Sequence, residues 1–292
     1  MNIKRAKQEI KDTVAAYLAK DEFGAYEIPS IRQRPMLLIG PPGIGKTQIM
    51  EQVAQECGIG LVAYTITHHT RQSAVGLPFI EHKMYGGKEY AVTEYTMSEI
   101  VASVYDRIEK SGLPEGILFI DEAYSLVEDN RTYGAEAINT IVQEMENYRD
   151  EVIVIFAGYP EKMKEFLEQN EGLASRIAFH LNFPDYSPVE LTQILDLMLE
   201  KSEYRMDERT REKCFSICAD ACREENYGNG RFVRNLLDHA IMRQADRLIR
   251  EHQNGTLEKE EACLLTADDF EMIGLKKKPQ SRQIGFCAGR TA

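Results

Sequence analysis

Residues 40–47 read GPPGIGKT and stand between an apolar run, MLLIG (36–40), and a helical pattern beginning at residue 46. The stretch matches G-x-x-x-x-G-K-[ST] in full, and the pattern needs a strand entering and a helix leaving, which the flanks supply. Gly40, Gly43 and Gly45 let successive backbone N–H groups curl around phosphate oxygens without a Cβ in the way. The start of the helix adds its positive dipole end. In such a loop Lys46 would bind the β- and γ-phosphates and Thr47 would ligate Mg²⁺. Pro41, Pro42, Ile44 and Gln48 complete the segment expected to wrap the nucleotide.

Four more short apolar runs follow the first: GLVAYTI (60–66), GILFI (116–120), VIVIFAG (152–158) and IAFHLNF (177–183). Runs without polar alternation suit a parallel sheet covered on both faces. Helical stretches at 46–57, 97–110, 134–148 and 160–170 lie between them, so the expectation is an open α/β sheet with right-handed crossovers. After FPDYSP (183–188) the strands are expected to stop, with helices at 188–202, 207–226 and 230–252 and a short piece near 266–273. The reading is a five-stranded parallel sheet flanked by helices, then a smaller all-helical domain. Boundaries are set at 1–30 for an N-terminal amphipathic helix, 31–186 for the α/β domain, 187–275 for the helical domain and 276–292 for an exposed tail. Gly86-Gly87 between two short runs signals a hairpin insert at about 76–95.

The run GILFI ends in Asp121 and Glu122. Ligands of open α/β sheets bind at the carboxyl edge, where this strand finishes. Coupled to the phosphate loop, Asp121 is placed to hold Mg²⁺, directly or through water, and Glu122 to orient and deprotonate an attacking water.

A net charge of −12 argues against broad nucleic-acid or anionic-membrane binding. The charged N-terminus lacks the apolar core of a signal peptide and no window looks like a membrane span, so the expected address is the cytosol. Cys214, Cys218 and Cys222 line one helical stripe and read as small buried apolar residues.

With GPPGIGKT and ILFIDEA on one chain, the sequence resembles the AAA+ ATPases, which implies the P-loop NTPase fold, a helical lid and ATP as substrate. GLASRIAFHLNFPDY resembles the segment that presents an arginine finger to a neighbouring subunit, with Arg176 the matching residue. GNGRFVRNLLDHA resembles the sensor-2 helix of the lid, which implies that Arg231 reaches the γ-phosphate; Arg234, one turn on, is its rival. Both arginines would supply positive charge where it develops in phosphoryl transfer. The sensor-1 position, usually small and polar, carries Tyr159. Residues 117–286 are similar to the CbbX/SpoVK group, which includes ATP-driven remodellers of Rubisco working as hexameric rings. Residues 1–120 resemble MoxR-type AAA+ ATPases through the hairpin-bearing insert, and lack the compact aromatic pore loop of the CbbX-like group. Tyr85 and the His68–His69 pair are the insert's candidates for touching a client. The function implied is ATP hydrolysis at subunit interfaces of a homo-oligomer that remodels a protein partner. The alternatives are a nucleotide-gated scaffold with little turnover and, less favoured, a nucleic-acid remodeller.

Overall fold

The fold was read from a computed structural model, which describes residues 3–65, 75–113, 115–125, 134–147, 152–177, 179–251 and 259–272. The chain divides into two compact units, Met1–Asp185 and Tyr186–Ala292.

The first unit is built on five parallel strands: β1 (Met36–Ile39), β2 (Gly60–Thr65), β5 (Gly116–Asp121), β6 (Val152–Gly158) and β7 (Phe179–Asn182). Their order in the sheet is β2-β5-β6-β1-β7. Helices α1 (Ile3–Leu18), α2 (Lys46–Cys57), α3 (Glu99–Ser111), α4 (Gly134–Asn147), α5 (Pro160–Glu168) and α6 (Glu171–Ala174) accompany it. Successive strand residues point to opposite faces, and here both faces are apolar. Leu37, Leu118, Ile120, Val154 and Phe156 pack with Ile100, Val104, Ile138 and Ile141 on one side. Met36, Leu38, Ile117, Phe119 and Ile155 pack with Ile10, Val14, Met50 and Val53 on the other. That double covering is why the strands read as unbroken apolar runs.

The 160–170 stretch, read as one helix, is one, α5, and a separate short helix follows it. Asn170 turns its amide back onto the Phe166 carbonyl, capping the first helix, and α6 starts immediately after it. The insert forms the antiparallel hairpin β3 (Pro78–Tyr85) and β4 (Lys88–Tyr95), closed with Tyr85 opposite Lys88. Gly86 and Gly87 both have positive φ, as a two-residue type I′ turn demands.

The second unit packs α7 (Pro188–Lys201), α8 (Glu208–Ala221) and α9 (Gly230–Glu251) around Leu191, Leu195, Cys218, Val233, Leu236 and Phe270. Ser187 and Glu190 form a reciprocal capping box that starts α7, and Asp207 caps α8. The expectation that strands stop after 183 needs one correction. β8 (Arg205–Met206) and β9 (Leu264–Leu265) form a two-residue parallel ladder, which satisfies backbone groups of the segments that lead into α8 and follow α10 (Lys259–Ala262). Cys214 and Cys218 lie fully buried in this core, and burial pushes both thiols up to about 12. Among the described residues no helix is long and apolar enough to cross a membrane.

Candidate active site

Three consecutive strands of the sheet, β5, β6 and β1, end side by side and deliver the site. β1 passes into the phosphate-loop residues at Gly40, which has no room for a side chain: a Cβ there would lie 2.8 Å from Phe183 Cβ. Gly43 and Gly45 adopt φ of 77° and 84°, the left-handed region that glycine enters without strain. Gly45 is the N-cap of α2 and puts no side chain over the helix's first N–H groups. Donors that helices usually satisfy with a capping side chain are therefore left to an anion.

Lys46 is buried, and its ammonium donates to the carbonyls of Gly40 (3.0 Å) and Pro41 (3.3 Å), inside the curve of the loop. Ile44 is buried beneath the loop in the α1/α2 core, whereas Gln48 is exposed on the first turn of α2. Thr47 Oγ1 lies 3.5 Å from Asp121 Oδ2 across the gap between α2 and the end of β5. A hydroxyl and a carboxylate from two segments, 74 residues apart, face each other as ligands of a hard cation would. The glycine cradle, the buried lysine and this oxygen pair fit a nucleoside triphosphate carrying Mg²⁺.

Asp121 is the last residue of β5. Its Oδ1 accepts the backbone N–H of Glu122 at 3.0 Å, and Glu122 has φ 53°, a left-handed conformation rare for a glutamate. The Glu122 carbonyl accepts the Ser125 N–H at 2.8 Å, closing a turn directly after the strand. Tyr159, directly after β6, donates its phenol hydrogen to Glu122 Oε1 at 3.1 Å. The Tyr159 ring lies 5.6 Å from the Tyr124 ring and 5.4 Å below the Lys46 ammonium.

Arg176 is elsewhere in the same unit. It follows α6 and precedes β7, so it sits at the amino edge of the sheet, where a small cavity is lined by Arg34, Pro35, Glu146, Val152 and Arg176. Glu146 accepts from Arg176 Nε at 2.9 Å, and the Gly172 carbonyl accepts from its Nη1 at 2.7 Å. Arg231 and Arg234 belong to the second unit, both exposed on the polar side of α9 opposite the buried Phe232, Val233 and Leu236. The start of α9 is pinned by Asn229, fully buried, whose Oδ1 accepts the Tyr186 N–H at 2.8 Å. Tyr85 is exposed at the hairpin tip; His68 and His69 lie outside the described residues, as does the tail.

Sequence reasoning missed three partners: Tyr124 beside Tyr159, the phenol of Tyr159 on Glu122, and Glu146 on Arg176. The last two pairs are separated by 37 and 30 residues and have no local signature.

A parallel sheet with a phosphate loop after one strand and an acid pair after its next-but-one neighbour defines a P-loop nucleoside triphosphatase. Comparison with known proteins narrows the class. The model of the ATPase family associated with various cellular activities (AAA) matches residues 36–185, and that of the AAA lid domain matches residues 187–281. The plasmid-borne Protein CbxX of Cupriavidus necator is 38% identical over 260 residues, covering 85% of this chain and 74% of that protein. The Protein CfxQ homolog of Guillardia theta is 36% identical over 248 residues, covering 83% and 77%. The chloroplastic ribulose bisphosphate carboxylase/oxygenase activase of Cyanidioschyzon merolae is 37% identical over 218 residues, covering 73% and 67%. The chain belongs to the AAA family of ATPases, in the group that contains the CbxX and CfxQ proteins.

A likeness covering 85% of the chain is too long to be confined to residues 117–286. None of these three relatives carries a MoxR name, and the MoxR resemblance of residues 1–120 rests on the insert alone.

Proposed function

We propose that this ATPase hydrolyses ATP at contacts between copies of itself in a closed ring, and that the resulting motion remodels a protein partner. The observation that carries the reading is the separation of Arg176 from the phosphate loop. Phe179 of β7 pairs with Met36 at the start of β1, and Gly40 lies beyond the other end of β1. Four residues of strand put roughly 13 Å of sheet between the two edges. Arg176 therefore cannot serve the loop of its own subunit. It is held by Glu146 and the Gly172 carbonyl at an edge where a neighbour's nucleotide could meet it. An arginine supplied from a second subunit stabilises charge that develops only in the transition state, which raises kcat rather than affinity.

Within one subunit, the backbone N–H groups of residues 43–48 and the Lys46 ammonium bind and orient the phosphates. Thr47 and Asp121 would hold Mg²⁺, whose charge offsets that of the phosphate oxygens. Glu122 accepts a proton from the attacking water, and Arg231, with Arg234 as the alternative, brings positive charge from the lid. A relative bears the name of a Rubisco activase, which makes Rubisco one candidate partner; a maturation client engaged by the hairpin is another. The net charge of −12 favours a protein over a nucleic acid.

Arg176→Ala is the test. ATP should still bind, by calorimetry, while turnover falls by roughly 10³-fold or more. Wild-type activity per subunit should rise with protein concentration. Full turnover in Arg176→Ala would refute the trans arginine, and assembly with ATP but no turnover in the wild type would favour a nucleotide-gated scaffold.

A further inference from the structure

We propose that Tyr159 is a positioning residue for Glu122: its phenol fixes the carboxylate by holding Oε1, so that Oε2 is presented to the attacking water. The proposal rests on the reading of Glu122 as the proton acceptor, and gives the residue at the sensor-1 position a job on the protein rather than on the nucleotide.

Four observations support it. First, the contact is direct, with Tyr159 Oη donating to Glu122 Oε1 at 3.1 Å. Second, Glu122 needs such a support. Its backbone is left-handed at φ 53°, its N–H is engaged by Asp121 Oδ1 and its carbonyl by the Ser125 N–H, so the main chain is fixed while three side-chain torsions are not. Among the described residues Tyr159 is the one side-chain donor on that carboxylate.

Third, Tyr159 is itself rigid. It follows β6 as the N-cap of α5, with Pro160 after it, and the Met163 N–H donates to its carbonyl at 2.8 Å. Its ring packs against Tyr124, at 5.6 Å and 35°, and Tyr124 is in turn held against Gly158 and under the Lys162 ammonium. A hydrogen bond from a well-packed phenol constrains its acceptor far better than one from a mobile side chain.

Fourth, the same ring faces the Lys46 ammonium at 5.4 Å, within cation–π range. The phosphate-binding lysine and the water-activating glutamate therefore share one rigid neighbour. A small polar residue at this point would lack the reach to touch either group from the start of α5.

The test is steady-state ATPase kinetics on the full chain with Tyr159→Phe, which keeps the ring and its packing and removes only the hydroxyl. The expected result is a kcat lowered roughly tenfold with KM for ATP unchanged. Heat melting of the variant should match the wild type. Glu122→Asp serves as the second arm, because its shorter side chain withdraws the carboxylate from the phenol. Tyr159→Phe should then cost nothing further in the Glu122→Asp background. A loss carried by KM would mean that Tyr159 acts on the nucleotide and would overturn the proposal. An unchanged or raised kcat would do the same, the latter identifying the phenol as a latch. Multiplying losses in the double variant would show that Tyr159 works independently of Glu122, leaving the glutamate's own role intact. If Glu122→Asp alone costs nothing, the proton-acceptor reading fails and the proposal falls with it.

Discussion

At the residue scale, the site is a set of side chains whose freedom has been removed by their neighbours. Lys46 is the clearest case, buried with two carbonyls of the loop accepting from it. A buried ammonium needs such partners, and phosphate oxygens are the stronger acceptors when they arrive. Lys46→Ala should lower ATP affinity by at least tenfold in calorimetry; undiminished affinity would remove the loop from its role. Gly158 is a less visible determinant. It sits between Met163 and Tyr124 one residue before Tyr159, and an added Cβ would collide with Met163 Sδ and come within 2.9 Å of Tyr124 Cδ1. Gly158→Ala should cost about 1–3 kcal/mol in denaturant unfolding, as overpacking does. It should also displace Tyr159 and lower kcat; a variant as stable and as active as the wild type would contradict this packing account.

At the element scale, the central strands were readable because each is apolar on both faces, and Met36 to Leu38 goes to alternate sides of the sheet. The hairpin was readable because its turn demands two residues with positive φ and the sequence offers Gly86-Gly87. What the sequence hid is of two kinds. Two-residue ladders such as β8 with β9, and the four-residue α6, are shorter than any periodicity can register. The phosphate loop and the acid pair were visible as local patterns, whereas Tyr159 on Glu122 and Glu146 on Arg176 exist only once the sheet is assembled.

The N-terminal helix adds a further element-level device. Lys11 and Lys7 of α1 both donate to Glu56 of α2, and they push its carboxyl down to about 2. Because the folded value is depressed, the contribution to stability is present above the ordinary carboxylate range and is lost as pH falls toward that value. The melting difference between wild type and Glu56→Gln should therefore be largest above about pH 5 and shrink on acidification. Since the cluster is exposed, the difference should also shrink in about 1 M salt. A gap independent of both would show that the helix is held by its apolar face alone, through Ile10 and Val14.

At the scale of the whole molecule, each unit has its own core, and the first carries the loop, the acids and the arginine on two opposite edges of one sheet. On the proposed reading a single copy is incomplete: it binds ATP at its own loop, while the charge of Arg176 comes from a neighbour. The most direct measurement combines particle size with ATPase rate on the same samples across a range of protein concentrations, with and without ATP. The account predicts a turnover per subunit that rises as the ring forms and is lost in Arg176→Ala although the ring and ATP binding persist. A rate per subunit that is constant while the protein remains monomeric would contradict it.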